Sequence, residues 1–295
     1  MPPVHDAHPT AALDHIDISL VRDWIEYPGG KLLALPFENE ANDINLYDGV
    51  KDKIFTAITE ITTSMEIGVS APKPSQEAEK AEGTPSAFLI YNLTDSHCTT
   101  LLQRRVWSST TITFRVIELN PPSPDFLFTL QGFSTMITSD ILTMVRAVWR
   151  HNDIANLINA ISKSFSEDAH AEVKASITAF LDSVTIARLD IKSSGDTLQP
   201  HFNVYANGSI IGNDDLWIYL CEYLATRIYA SPMQGLGTTK ISPYHCGLCH
   251  SVDHPRGLCP FPVIPGWNGP GTRPTTISRR GRGGRARGFN THGRH

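Results

Sequence analysis

The chain has 295 residues, 41% of them hydrophobic and 19% charged, enough apolar material for a packed core and enough length for about two domains. Nine of its 25 Lys/Arg but one of its 30 Asp/Glu lie from Lys240 onward, so the upstream part is near −13 (16 bases, 29 acids) and the C-terminal part near +8. That division keeps attraction to phosphate away from the bulk of the chain. Five cysteines point to a reducing compartment, and neither a leader-like start nor an apolar run of about 18 residues is present, so an intracellular protein, cytoplasmic or nuclear and without a membrane partner, is expected.

Residues 1–66 read as a helical N-terminal segment after a floppy start. Ile18, Val21, Trp24 and Ile25 share a helical face until Pro28, Gly29 and Gly30 stop it. Asp14 and Asp17 flank His15, and at a helix start this pattern predicts capping. Leu46, Val50, Ile54, Ile58 and Ile61 form an i, i+4 stripe over 45–62, the mark of a core face. Residues 67–86 then read as a linker or exposed loop, because the stretch from Ala71 to Pro85 is charged, small and punctuated by proline.

Residues 87–230 form the α+β body. Strands are predicted at 87–91, 111–118, 125–133, 185–192 and 201–205, and helices at 95–107, 139–151, 154–165, 168–183 and 214–229. Asn213, ahead of Asp214 and Asp215, is the expected N-cap of the last helix. The β-α-β-β-α order over 87–151 resembles an RNA-recognition motif, with Phe88-Leu-Ile-Tyr-Asn-Leu93 partly matching its first-strand signature. Phe126 and Phe128 align with the stacking aromatics of the second, without its basic residue and glycines. The same alternation also fits an inward-facing strand. Residues 231–244, rich in Gly, Ser and Thr, read as a tether. Within it Gly235-Leu-Gly-Thr-Thr-Lys240 lacks the order of a phosphate-binding loop.

Residues 245–267 carry the sharpest signal. Cys246, Cys249, His254 and Cys259 have the spacing C-x2-C-x4-H-x4-C, in which three thiolates and an imidazole complete a tetrahedral shell around one Zn²⁺ and leave no position for substrate. So short a segment has no core of its own, so metal is expected to supply its folding energy. His250, beside a ligand, is a possible competitor, and Cys98 and Cys221 fall in helical patterns as buried thiols. Tyr244, Phe261 and Trp267 flank the loop, either as stacking faces for bases or as packing against the metal loop, and Arg256 lies within it. Residues 268–295 form a basic tail of RGG type around Arg279, Arg280, Arg282, Arg285 and Arg287. A composition of arginine and glycine without apolar residues predicts disorder with guanidinium groups available to phosphates and bases, or else a solubilising or targeting role.

The ligand spacing resembles the CCHC zinc knuckle of retroelement Gag and nucleocapsid proteins. Here Gly247 and Asp253 stand where many of those knuckles carry an aromatic and a glycine. Acidic body, tether, single knuckle and Arg/Gly tail resemble a Gag-like or retroelement-derived protein over residues 240–295. The resemblance implies a knuckle and tail that bind single-stranded RNA or DNA, RNA favoured, and a body that self-associates or takes a protein partner. Two other expectations are a host RNA-binding adaptor whose body recruits a protein, and a knuckle used as a protein-interaction module. No hydrolase, metalloprotease or aspartic-protease spacing occurs, so a non-enzymatic role is expected.

Overall fold

A computed structural model describes residues 1–76, 84–134, 137–192 and 198–271. The chain is α+β, with two five-stranded antiparallel sheets. The first is built from β1 (Gly30–Pro36), β2 (Gly68–Ser70), β3 (Phe88–Leu93), β4 (Val106–Ser108) and β5 (Thr113–Ile117), in the order β2-β3-β1-β5-β4. The second is built from β6 (Phe126–Phe133), β7 (Thr185–Lys192), β8 (Leu198–Tyr205), β9 (Tyr229–Ser231) and β10 (Gly235–Thr239), in the order β7-β8-β6-β10-β9.

Each sheet arises from the same succession of elements. In the first half α2 (Tyr47–Thr62) follows β1, and α3 (Asp95–Arg104) lies between β3 and β4. In the second, α4 (Thr138–Trp149), α5 (Asn152–Lys163) and α6 (Glu167–Asp182) follow β6, and α7 (Asp214–Ala225) lies between β8 and β9. The fold is therefore one strand-helix-strand-strand-helix-strand-strand frame used twice, with one helix in the first crossover and three in the second.

Helices cover both faces of the first sheet at β1 and one face of the second. Leu32 and Ala34 of β1 meet Val50, Ile54 and Ile58 of α2, while Leu33 and Leu35 point the other way onto Val21 and Trp24 of α1 (Ile18–Glu26). In the second half Phe128 and Leu130 of β6, with Phe202 and Val204 of β8, pack against Ile141 and Val145 of α4, Phe180 of α6 and Leu220 of α7. The opposite face of this sheet is polar, carrying Thr129, His201, Asn203 and Tyr205. Local signals set the helix ends. Asp17 caps α1 by accepting from the Ser19 amide at 2.9 Å, and Asn213 caps α7 by accepting from the Leu216 amide at 2.8 Å.

Several expectations change. The RNA-recognition arrangement does not form, because it would place 87–91 and 125–133 in one sheet. β3 lies in the first sheet and β6 in the second, since β1, unforeseen, takes the central place beside β3. Phe126 and Phe128 are buried, so neither is an exposed stacking face. The helix expected over 95–107 stops at Arg104, and Val106–Ser108 turns back as β4. The supposed tether contains β10, paired with both β6 and β9. Its glycines serve close approach, not slack: a Cβ on Gly237 would lie 1.9 Å from the Phe133 ring. The floppy start is instead packed, Ile16 being buried and Asp17 receiving nothing looser than a capping role. Of the linker over 67–86, residues 77–83 lie outside the described residues, and Gly68–Ser70 is a strand.

Candidate metal centre

The donor atoms of Cys246, Cys249, His254 and Cys259 all lie within 4.8 Å of one another. The loop closes locally by turns: the His250 amide donates to the Cys246 carbonyl at 2.8 Å and the Cys246 amide to that of Ser251 at 2.9 Å. Cys246 and Cys249 are fully buried, His254 nearly so and Cys259 partly, so most of the cluster is shielded from water. Three soft thiols and one imidazole converging in this way can hold a metal ion, and the set suits a closed tetrahedral shell. The sulfurs titrate together: hydrogen bonds with Cys249 and then Cys259 lower the Cys246 thiol, and the same bonds with Cys246 and then Cys259 raise that of Cys249.

A second layer orients the histidine. His254 Nε2 points at the sulfurs, 3.5 Å from Cys249 Sγ, and Nδ1 lies 2.5 Å from Asp253 Oδ1. Burial works against the Asp253 charge, but its hydrogen bonds with His254 and Ser251 prevail and the carboxyl titrates below its ordinary range. An ionised Asp253 accepts the Nδ1 proton and leaves the Nε2 lone pair for the metal. Asp253 Oδ2 in turn accepts from the Tyr205 hydroxyl at 2.9 Å. Burial first, and then the Asp253 charge, push the Tyr205 phenol far up, so it stays a donor. Asn203 donates from Nδ2 to the Asp253 carbonyl at 2.6 Å and accepts from Thr129 Oγ1 at 2.7 Å. The polar face of the second sheet is thus wired to the metal loop.

The first half supplies the apolar floor. Phe37, directly after β1, meets Phe261 and Trp267 at centroid distances of 5.4 and 5.8 Å, and Val106 and Leu248 complete the cluster. The loop itself supplies Cys246, Leu248, Cys249, Phe261 and Trp267 to this cluster, and Phe37 and Val106 join it to the first half. His250 does not join the donor cluster; its Nε2 faces the Phe37 carbonyl at 3.4 Å.

Residues 4–6 strap the assembly. The His5 amide donates to Ser251 Oγ at 2.9 Å and the Val252 amide to the His5 carbonyl at 3.0 Å, while the His5 ring lies 5.0 Å from that of Tyr205. Asp6 forms a two-pronged ion pair with the buried Arg115 of β5, one prong at 2.9 Å. Burial lowers the His5 pKa more than Asp253 and neighbouring acids raise it, so the imidazole is neutral here at physiological pH.

The expected nucleic-acid contacts divide. Phe261 and Trp267 have their faces buried against Phe37 and each other, so they are packing residues and cannot stack on bases. Tyr244 is half-buried, bonded to His201 at 2.5 Å and approached by Lys240 Nζ at 4.8 Å from its ring, and Arg256 is exposed. Arg279, Arg280, Arg282, Arg285 and Arg287 lie outside the described residues. Cys98 and Cys221 are unrelated to the cluster, and burial raises both thiols. His5, Asn203, Tyr205 and Asp253 escaped sequence reasoning. Two left a trace: Tyr205, on one face of its strand with His201, and Asp253, standing where many knuckles carry a glycine.

No protein-family model matches this chain, and no curated protein and no solved structure is significantly similar to it. Among the described residues no helix is long and apolar enough to cross a membrane.

Proposed function

We propose that this chain is a zinc-holding, non-enzymatic protein of Gag-like or retroelement-derived type that binds single-stranded nucleic acid, RNA in preference to DNA. Zn²⁺ is the cation that a largely buried Cys3His set of four ligands suits best, held by Cys246, Cys249, His254 and Cys259. It acts as a structural staple. The observation that carries the nucleic-acid reading is the division of charge, with eight arginines and no acid after Asp253, against an acidic body.

Burial of Phe261 and Trp267 shifts the expected contacts away from these two aromatics and onto Arg256, Tyr244 and the arginines of 273–294. The same burial favours, as a second reading, a metal loop that serves protein architecture alone.

A salt titration by fluorescence anisotropy on a labelled single-stranded oligonucleotide separates the two. If four to six arginines engage phosphates, the slope of log K against log salt is about −3 to −4 for the full chain and about −1 or less after truncation at Gly271, with one zinc per chain in both. Absence of binding at low salt would support the architectural reading, and an unchanged slope after truncation would place the contacts on the body.

A further inference from the structure

The geometry points to β7 as the edge through which two copies of this chain pair, strand to strand and antiparallel, about a two-fold axis at Leu189. This goes beyond the nucleic-acid reading and does not depend on it. Sheet edges expose unpaired backbone donors and acceptors, and proteins blunt them by keeping edge strands short or by bulges, prolines or cover. Three of the four edges here follow that rule: β2, β4 and β9 have three residues each. β7 has eight, pairs with β8 in unbroken register from Thr185 opposite Tyr205 to Lys192 opposite Leu198, and contains no proline. Among the described residues no strand pairs with its outer side.

Its sequence fits itself in one register. A two-fold axis normal to the sheet keeps each face on its own side, so even-numbered residues oppose even and odd oppose odd. Four such registers overlap by at least five residues. An axis at Arg188 sets that arginine against its own copy. One at Asp190 opposes like aspartates and puts Arg188 against Lys192, and one at Ala187 faces Arg188 with Ile186. An axis at Leu189 sets Arg188 against Asp190 twice, Ala187 against Ile191, and Ile186 beside the aliphatic stem of Lys192. Within one copy Arg188 and Asp190 already form an ion pair, at 3.0 Å, so exchanging partners across the axis keeps both charges neutralised. The product is a continuous ten-stranded sheet with the helices of both copies on one side. The occupant is a second copy because charge complementarity is met by the strand's own sequence.

The test is sedimentation equilibrium of the full chain, nuclease-treated to exclude bridging by nucleic acid. The parent is expected to be a dimer. Arg188→Asp opposes aspartate to aspartate and is expected to weaken the dimer at least about tenfold, while Arg188→Asp with Asp190→Arg restores it. Directly opposed residues have Cα atoms about 4.5–5.5 Å apart, within disulfide reach, so Leu189→Cys is expected to cross-link the two copies on oxidation and Ala187→Cys is not. A monomeric parent overturns the proposal, as does a dimer indifferent to Arg188→Asp or one cross-linked through Ala187→Cys in preference to Leu189→Cys.

Discussion

The two sheets share an order of elements and an order of strands, yet each contributes something different to the metal loop. The first half offers Phe37 and Val106, an apolar floor on which Leu248, Phe261 and Trp267 settle. The second offers a polar face, where Asn203 and Tyr205 hold Asp253 and through it His254. One frame, used twice, has one copy specialised for burial and the other for hydrogen bonding. The cluster of ligands belongs to both, and this is why it stapled itself into the body instead of hanging from it.

The largest break in that partnership is expected from the metal. If the loop is shared, chelation or Cys249→Ser should lower the thermal midpoint of the whole chain by at least about 10 °C, out of a structural zinc contribution on the order of 10 kcal/mol. Differential scanning calorimetry with and without chelator reads this directly. A shift below about 3 °C would mean that the loop only rests on the two halves.

Next is the apolar side. Phe37 is 1% exposed and in ring contact with Phe261 and Trp267, so Phe37→Ala is expected to cost about 3–5 kcal/mol and to loosen metal binding with it. Denaturant unfolding paired with a competition titration against a zinc indicator separates the losses. Stability lost with metal affinity intact would show that the floor supports the sheet and not the loop.

The polar side should cost less stability but more affinity per unit of it. Asn203→Ala strands the Thr129 hydroxyl and the Asp253 carbonyl, for about 1–3 kcal/mol, and Tyr205→Phe removes one donor, for about 1 kcal/mol. Asp253→Asn, which deprives His254 of its anionic partner, is expected to weaken metal binding about 10- to 100-fold. An Asp253→Asn protein with parental affinity would sever the second half from the site.

What the sequence disclosed follows the range of the forces involved. The stripe of Val50, Ile54 and Ile58 and the cap at Asn213 are local, and they appear where periodicity and capping chemistry put them. The four ligands were legible because their spacing within one short loop is itself the geometry. β1 was not: Leu32, Leu33, Ala34 and Leu35 are buried on both faces, so no alternation marks them, and Gly30 and Pro36 at the ends look like breaks. β10 hid behind glycines that only the Phe133 ring, a hundred residues earlier, explains. The ties from His5, Asn203 and Tyr205 to the metal loop leave no local pattern at all, because each joins residues far apart in sequence.

The strap of residues 4–6 sets an order of events during synthesis. The partners of His5, Ser251 and Val252, follow it in the chain by 246 and 247 positions. At about 5–20 residues per second, this leaves His5 waiting roughly 12–50 s for the loop it closes upon. In that interval the strands of the first sheet, all within residues 30–117, have been made, while the Phe37 floor still lacks Leu248, Phe261 and Trp267. The nascent chain therefore leaves Phe37 and Val106 without most of their apolar partners until the segment that carries the cysteines has been made.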